Sequence, residues 1–298
     1  MSITTASVIV VSRHRTAALL RCLASLCQQD HPAMEVIVVA DPEALAAVQA
    51  AALPGRLVAF DEANISAARN AGIAAAGGEV LAFLDDDAVA EPTWLSRLTA
   101  PFAAAEVVAA TGFVRGRNGI SWQWRAGEVD CFAQDHPLPD QAAVYRGSEA
   151  RAVKTQGTNC AFRAKVLRRV GGFDPAYRFF LDEADLNLRL ASEGATAVVP
   201  EAEVLHGFAA SARRRADRVP LSLHEIAAST AVFLRRHAGP AHLERGWLRL
   251  HAEQAARVAA LGRAGRITAA EQVALMDSLA AGWAAGLARP LPNLLPLA

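Results

Sequence analysis

The sequence lacks an excess of charge of either sign and a legible cysteine pattern. Its 30 basic residues balance 30 acidic ones, so no overall positive field attracts a polyanion, and we expect no nucleic-acid partner. The four cysteines follow neither a CxxC nor a Cys/His ligand spacing. They therefore indicate neither a zinc site nor a disulfide framework. This pattern favours a protein located in the reducing cytoplasm.

Signals for secretion and for membrane insertion are also missing. The first residues, MSITTASVIVVSRHR, contain no basic leader followed by an apolar run and a cleavage site. The most apolar late stretch, residues 272–288, carries Asp277 and falls short of the roughly 18 uncharged residues that a spanning helix needs. We therefore expect a cytoplasmic protein without a transmembrane segment, with peripheral contact at the inner membrane face as an option.

One dense basic cluster stands out. It comprises Arg213, Arg214, Arg215 and Arg218. Such a run is typical of a solvated face, and the alternative is contact with anionic lipid or with a phosphate.

Hydrophobic residues make up 53% of the chain, and their pattern divides it. From residue 6 to about 113, short apolar runs alternate with helical periods, which predicts strand-helix-strand units around a mostly parallel sheet. One strand, EVIVVA, precedes Asp41, and another, EVLAFL, leads into Asp85-Asp86-Asp87. Ligands of open parallel sheets bind beyond the carboxyl ends of the strands, so we expect these aspartates at one ligand-binding edge.

Residues 114–155 show no clear period, which indicates a loop-rich insertion or a strand pair. Later runs predict a strand at TNCAF, a helix that includes Asp185–Ala191 and a short strand ATAVVP. Beyond about residue 219 the pattern is helical alone. We therefore predict a catalytic α/β domain over residues 1–219 and an all-helical C-terminal extension over residues 220–298.

The extension carries its own helix signals. Ser222 with Glu225 and Thr268 with Glu271 fit capping boxes. Two apolar stripes require a covering surface, which we expect to be the catalytic domain or a second subunit in a homodimer. The stripes are Ile226, Thr230, Phe233 and His237, and Val273, Met276, Leu279, Trp283 and Leu287.

The aspartate triplet is chemically informative. Three carboxylates at the end of a buried strand repel one another, and a cation offsets that repulsion. Asp85 and Asp87 are alternate residues, so their oxygens can point to one side and bind Mg²⁺ or Mn²⁺. The alternative is a solvated acidic turn that caps the helix beginning near Pro92.

Three blocks of sequence resemble family-two glycosyltransferases. They are SVIVVSRHRTAALLRCLASLCQQDHPAMEVIVVAD, NISAARNAGIAAAGGEVLAFLDDDAVAEPTWL and GTNCAFRAKVLRRVGGFDPAYRFFLDEADLNLRLASEGATAVVPEAEVLHGF. They occur in the family's order and cover roughly residues 6 to 208. The resemblance implies the GT-A fold, which is a Rossmann-like α/β domain with a central mixed sheet flanked by helices.

The resemblance also implies roles for individual residues. Asp41, Arg69, Asp85 and Asp86 would bind the nucleotide-diphosphate sugar. Asp85 and Asp87 form the DxD-type motif and would hold a divalent cation, Mn or Mg. For Arg69 the alternative is a structural ion pair with a neighbouring carboxylate.

His206 resembles the late histidine of the family, which implies a metal or phosphate ligand; the alternative is a structural role. The family's acidic catalytic motif corresponds here to residues 182–185. Alignment on Asp185 puts Glu183 in the position of the general base, with Asp182 as the alternative. Asp185 and Arg189 are four residues apart on a predicted helix and are expected to form an ion pair.

These expectations describe an inverting, metal-assisted glycosyltransferase that moves a sugar from a nucleotide-diphosphate donor to a hydroxyl of a glycan, lipid-linked or small-molecule acceptor. The resemblance to this family suggests a role in bacterial glycan or cell-envelope synthesis. The alternative is a non-catalytic GT-A-like subunit that binds nucleotide or glycan. A nucleotide-sugar pyrophosphorylase is disfavoured because the loop after the first strand, SRHRTAA, contains no glycine.

Overall fold

A mixed ten-stranded sheet is the centre of the protein in this computed structural model, which describes residues 4–210 and 213–297. A second sheet of three strands lies beside it. The strands are β1 (Ala6–Val11), β2 (Met34–Ala40), β3 (Arg56–Ala59), β4 (Val80–Asp85), β5 (Ala88–Ala90), β6 (Val107–Arg115), β7 (Trp122–Trp124), β8 (Gly127–Asp130), β9 (Asp135–Pro137), β10 (Ala143–Arg146), β11 (Arg151–Val153), β12 (Cys160–Arg163) and β13 (Ala195–His206).

Helices cover both faces of the large sheet and form the C-terminal region. They are α1 (Thr16–Leu26), α2 (Pro42–Ala50), α3 (Ile65–Ala75), α4 (Trp94–Thr99), α5 (Ala164–Arg169), α6 (Asp182–Leu190), α7 (His224–His237), α8 (Leu243–Arg263) and α9 (Ala269–Ala288). Short 3₁₀ turns follow α4 at Ala100–Ala103 and precede α8 at Pro240–His242.

The large sheet has the order β10-β13-β6-β12-β4-β1-β2-β3, with β5 beside β13 and β7 beside β6. Strands β3, β2, β1 and β4 are parallel, whereas β12 runs antiparallel between β4 and β6. The parallel strands are rich in valine and isoleucine because both of their faces are covered. Helices α1, α2 and α4 pack on one face, and α3, α5 and α6 pack on the other.

The parallel strands bring the predicted aspartates to one edge. Val11, at the end of β1, lies opposite Val39 of β2 and Asp85 of β4. Asp41 follows β2 directly. The expected placement of Asp41 and the triplet at one edge of the sheet is therefore confirmed.

Two regions differ from the sequence-based expectations. The predicted short strand ATAVVP is the beginning of the 12-residue strand β13, which ends at His206. A register shift between Val199 and Val204 interrupts the alternating pattern, which concealed the second half. Residues 114–155 contain strands β7 to β11, of three or four residues each, which are too short to show a period.

The C-terminal helices pack on one another, and α7 also packs on α6. The capping box of Thr268 and Glu271 is confirmed at the start of α9. The box predicted at Ser222 and Glu225 is wrong, because α7 begins at His224 and the Ser222 hydroxyl accepts the His224 amide instead.

The predicted stripe on α9 is only partly correct. Leu279 and Trp283 are buried, but Val273 and Leu287 are exposed. The face that contacts α7 includes Gly282 and Gly286, where a Cβ would overlap backbone atoms of α7. In residues 4–210 and 213–297 no helix has both the length and the apolar character needed to cross a bilayer.

Candidate active site

The middle residue of the aspartate triplet lies inside the protein. Asp86 is fully buried, and its carboxylate accepts hydrogen bonds from the Ser12 hydroxyl at 2.6 Å and from Nε of Arg15 at 2.9 Å. Burial raises the pKa of Asp86 to about 7, against the opposing effects of Arg15 and Ser12. These contacts anchor the turn after β4. The nucleotide-binding role of Asp86 stays a prediction.

The outer residues of the triplet meet the end of β13. Ligand atoms of Asp85, Asp87 and His206 lie within 4.8 Å of one another. Nε2 of His206 is 3.1 Å from Oδ1 of Asp87 and 3.9 Å from Oδ2 of Asp85. This cluster forms because β5 follows the triplet and pairs with β13, with Ala88 opposite His206. The alternative of an acidic turn that caps the next helix is not observed, since Thr93 precedes α4.

The surroundings shift the pKa values of Asp85 and Asp87 in opposite directions. Burial raises the pKa of Asp85, although Arg69 and His206 oppose the effect. Burial acts in the same direction on Asp87, but contacts with His206, Arg15 and the Ala209 amide hold its pKa well below the usual range. Two carboxylates and an imidazole are a donor set that suits Mg²⁺ or Mn²⁺. The residues present therefore fit a divalent cation.

Gln123 orients the histidine of this cluster and was not recognised from the sequence. Its Oε1 lies 2.9 Å from Nδ1 of His206, the ring nitrogen that faces away from the carboxylates. A metal-binding histidine commonly has such a partner on its second nitrogen, which fixes the ring orientation. No spacing rule connects two residues that are 83 positions apart.

Arg69 connects the triplet to the acidic motif of α6. It is buried, it contacts Asp182, and it donates to Oε1 of Glu183 at 2.8 Å. Its Nη2 lies 3.7 Å from Oδ1 of Asp85, and its guanidinium stacks over the Phe173 ring at 5.0 Å. The ion pairs expected as the alternative are therefore observed, and the nucleotide-binding role of Arg69 stays a prediction.

Asp182 and Glu183 occupy the first turn of α6 in different environments. The side chain of Glu183 is 21% exposed, whereas that of Asp182 is 3% exposed. Burial and the neighbouring Glu183 raise the pKa of Asp182. Burial acts likewise on Glu183, but Arg69 holds its pKa below the ordinary value. Glu183 is thus the more accessible member of the pair and the one whose pKa is lowered.

The backbone before α6 is strained. Phe180 and Leu181 have φ angles of 72° and 64°, in the left-handed region that non-glycine residues rarely adopt. Such conformations cost roughly 1–3 kcal/mol each and cluster at functional sites. Here they set the direction in which α6 begins, and therefore where Asp182 and Glu183 lie.

Asp41 is a buried helix cap. Its Oδ1 accepts the Ala44 amide at 3.1 Å and caps α2, while Oδ2 accepts the His14 amide at 2.7 Å. These contacts lower the pKa of Asp41, although burial acts in the opposite direction. Its predicted contact with the nucleobase stays a prediction.

The basic cluster does not form one solvated face. Nη2 of Arg214 lies 3.6 Å from Oδ2 of Asp87, and Arg213 stacks over the Phe179 ring at 4.5 Å. Arg215 pairs with Asp217, and Arg218 lies over the Phe208 ring. Arg214 therefore joins Arg15 beside the metal-type cluster, which is formed by Asp85, Asp87 and His206.

The mixed sheet, its acidic edge and the helices on both faces define a GT-A fold. Residues 7–171 match Glycosyl transferase family 2. This match covers more than half of the chain, which therefore belongs to that family. A comparison with curated proteins found no match.

Solved structures support the fold. GalNAc-T7, in a structure with UDP, GalNAc and Mn²⁺, is 16% identical with a TM-score of 0.60 over 78% of this chain. The chain spans about half of that protein, 48% of its length. Residues 1–349 of TarS from S. aureus, in complex with UDP, are 17% identical with a TM-score of 0.53 over 77% of this chain and 64% of that one.

A third neighbour covers nearly the whole chain. It is the mannosyltransferase PcManGT from Pyrobaculum calidifontis, in complex with GDP-Man and Mn²⁺. It is 17% identical with a TM-score of 0.54, over 96% of this chain and 88% of that one. Because the sequence identities are this low, these likenesses show the fold alone.

Proposed function

We propose that the protein is an inverting glycosyltransferase that moves a sugar from a nucleotide-diphosphate donor to an acceptor hydroxyl. One observation carries the proposal. Arg69 lies between Asp85, at the metal-type cluster, and Glu183, an accessible carboxylate. A cation site and a proton acceptor therefore both lie next to one guanidinium. Transfer to a hydroxyl requires both functions close together.

Asp85, Asp87 and His206 would hold the divalent cation, Mn²⁺ or Mg²⁺. When bound, it would neutralise negative charge on the diphosphate leaving group. Arg15 and Arg214 contact Asp87 and add positive charge at the same place. Their guanidinium groups suit phosphate oxygens, because they present several donors in a fixed plane.

Glu183 would act as the general base. It accepts the proton of the acceptor hydroxyl while the hydroxyl oxygen bonds to the anomeric carbon. The bond from that carbon to the diphosphate oxygen breaks, and its electron pair leaves with the nucleoside diphosphate. Attack from the face opposite the leaving group inverts the anomeric centre. General-base catalysis of this kind typically contributes 10²–10⁴-fold to the rate.

The structural neighbours support the choice of donor. GalNAc-T7 is described with UDP, GalNAc and Mn²⁺, and PcManGT with GDP-Man and Mn²⁺. Buried Asp41, at the adjacent strand end, would recognise the base edge. A role in bacterial glycan or cell-envelope synthesis completes the proposal and rests on the family resemblance.

A donor screen tests the proposal. The protein is incubated with UDP-, GDP- and dTDP-sugars, with Mn²⁺ or Mg²⁺, and release of nucleoside diphosphate is measured. Loss of this release in Glu183→Gln supports transferase chemistry. Proton NMR of the product then shows whether the anomeric configuration is inverted, as the proposal expects. Tight donor binding without release from any donor would instead favour the non-catalytic nucleotide-binding subunit.

A further inference from the structure

A cavity of about 460 Å³ lies between the end of β8, the loop that follows it, and the helices α7 and α8. The residues that line it include Asp130, Phe132, Leu234, His242, Arg245 and Arg249. Cavities that bind small molecules have volumes of roughly 300–1,000 Å³. None of the lining residues belongs to the metal-type cluster or to the acidic motif of α6, so this cavity is a second candidate binding site.

Two guanidinium groups at the cavity have unused hydrogen-bond donors. Arg245 forms no hydrogen bond or ion pair with any residue of the ranges 4–210 and 213–297. Arg249, one turn further along α8, donates from Nη2 to the carbonyl oxygen of Phe132, and its Nε lies 3.7 Å from Oε1 of Glu253. Both arginines line the cavity, as a spacing of four residues on one helix allows. Positive charge is therefore available there to a ligand.

The acidic residue of the lining uses its oxygens within its own loop. Oδ1 of Asp130 accepts the amides of Phe132 and Gln134, each at 2.9 Å, and Oδ2 lies 2.9 Å from Nε2 of His136. Burial acts to raise the pKa of Asp130, but these contacts lower it below its ordinary value. Asp130 is thus one negative charge against the two positive charges of the arginines. The balance of charge in the lining favours an anion.

The rest of the lining provides carbon surface. The rings of Phe132 and His242 are in contact, with their centres 5.0 Å apart, and the side chain of Leu234 is buried. Neither ring nitrogen of His242 has a hydrogen-bond partner within the part of the chain that the structure describes. Inorganic phosphate alone would fill only a small part of such a cavity. The ligand that fits has an anionic group attached to an organic body.

We propose that this cavity binds an organic phosphate, with its phosphate oxygens bonded to Arg245 and Arg249. Its carbon body would pack against Phe132, His242 and Leu234. Guanidinium groups bind phosphate through several donors in a fixed plane. A phosphate monoester carries a charge of about −1.5 to −2 at pH 7, which suits two guanidinium groups better than the single charge of a carboxylate. Sugar phosphates and nucleoside monophosphates share this chemistry, and the proposal does not depend on transferase activity.

The test is isothermal titration calorimetry of the full chain with UMP, glucose 1-phosphate and inorganic phosphate. EDTA is present, so that no cation attracts phosphate to the metal-type cluster. We expect the wild type to bind UMP or glucose 1-phosphate about tenfold or more tightly than inorganic phosphate, because the organic body adds contacts. The comparison of UMP with glucose 1-phosphate shows whether the source is a nucleotide or a sugar phosphate.

Two arginine variants with the same change of charge test the position. Arg245→Gln should weaken this binding by about tenfold or more, because it removes a charged donor from the phosphate. Arg263→Gln is the matched control, since Arg263 is exposed at the far end of the same helix, and it should bind as the wild type does. Thermal unfolding without ligand shows that both variants are folded.

Two further variants separate this cavity from the candidate active site. Phe132→Ala keeps the carbonyl oxygen that Arg249 contacts, and it should lower the affinity for the organic phosphate towards that for inorganic phosphate. Arg214→Gln removes a guanidinium next to Asp87 and should leave the binding intact. Binding that is lost in Arg214→Gln but kept in Arg245→Gln would overturn the proposal, because the ligand would then lie at the metal-type cluster. No binding by the wild type, or equal affinity for inorganic phosphate, would also overturn it.

Discussion

His237 on α7 reaches across to α6, where its Nε2 lies 2.9 Å from Oδ1 of Asp185. Arg189 holds the other carboxylate oxygen, with Nε and Nη2 at 2.9 and 2.7 Å, as expected from the four-residue spacing. The C-terminal helices therefore support the helix that carries Asp182 and Glu183. The contact positions the candidate base from a part of the chain outside the family match.

Asp185→Asn should lower the free energy of unfolding by about 3 kcal/mol at pH 7, because it leaves Arg189 and His237 without their buried partner. The contacts with those residues lower the pKa of Asp185 in the folded state, against the effect of burial. Its stabilisation is therefore fully present above the unfolded value of about 3.9 and is lost as the pH falls through the folded value.

Urea unfolding of wild type and Asp185→Asn between pH 7 and pH 2 measures this difference. We expect the gap between the two proteins to narrow only in the acid range. Exposed Asp277→Asn is the control and should change stability by less than about 0.5 kcal/mol. A gap that stays constant over the whole range would contradict a folded-state ion pair at Asp185.

Glu183→Gln should reduce kcat by about 100-fold or more, because the amide still accepts from Arg69 but cannot take a proton. Donor affinity should change little. Asp182→Asn should have a smaller effect, since burial raises the pKa of Asp182 and already favours its neutral form. Steady-state kinetics with the active donor provide the measurement. The opposite ranking would assign the base to Asp182.

Asp85→Asn and Asp87→Asn should each weaken Mn²⁺ binding by about tenfold or more, because each removes one of few charged ligands. Binding is measured by calorimetry and by electron paramagnetic resonance, with and without nucleoside diphosphate. Asp140→Asn removes a carboxylate that pairs with Arg125 away from this cluster, and it serves as the control. Wild-type Mn²⁺ affinity in both cluster variants would exclude this metal site.

Gly157→Ala should reduce turnover by about 100-fold with little effect on folding. An added Cβ would overlap Oε1 of Glu183 and Nη2 of Arg69, and small displacements of reacting groups are costly. Gly77→Ala is the matched control, since its Cβ would lie 3.4 Å from the Glu35 carboxylate, an ordinary contact. The two variants should differ in turnover, measured by steady-state kinetics, and should have the same thermal unfolding temperature. Equal activity would show that Glu183 does not need its present position.

Removing residues 220–298 should abolish the soluble, active protein. Val232 and Phe233 of α7 are fully buried against a cluster that includes Tyr177, Ala184 and Leu188. Truncation would expose that apolar surface to water. Expression, light scattering and kinetics of residues 1–219 test this. A soluble monomer with unchanged kinetics would contradict it, and light scattering of the full chain tests the predicted homodimer.

Local sequence patterns predicted the parallel half of the sheet well. β1, β2 and β4 are continuous apolar runs, and the aspartates that follow them mark the ends of strands. The family resemblance identified Arg69, Glu183 and His206, which the structure brings into one region together with the triplet. Arg69 and Glu183 lie on helices with a clear local signal, whereas His206 ends the half of β13 that the register shift concealed.

The missing parts depend on contacts between distant residues. Arg15 contacts Asp86 across 71 positions, and Gln123 contacts His206 across 83. Neither partnership has a spacing signature. The glycine part of the buried face of α9 was also missed, because Gly282 and Gly286 contact the backbone of α7 without any side chain of their own. A hydrophobic stripe does not reveal such a face.

The position of β7 has a consequence for engineering. Among the described strands it hydrogen-bonds to β6 alone, so substitutions at Trp122 and Trp124 leave the pairing of the other strands in place. Gln123 must stay to hold His206, but the two outward positions are open to randomisation. Changes confined to those two codons would leave the bond between Gln123 and His206 in place, so this strand can be redesigned while the histidine of the metal-type cluster keeps its orientation.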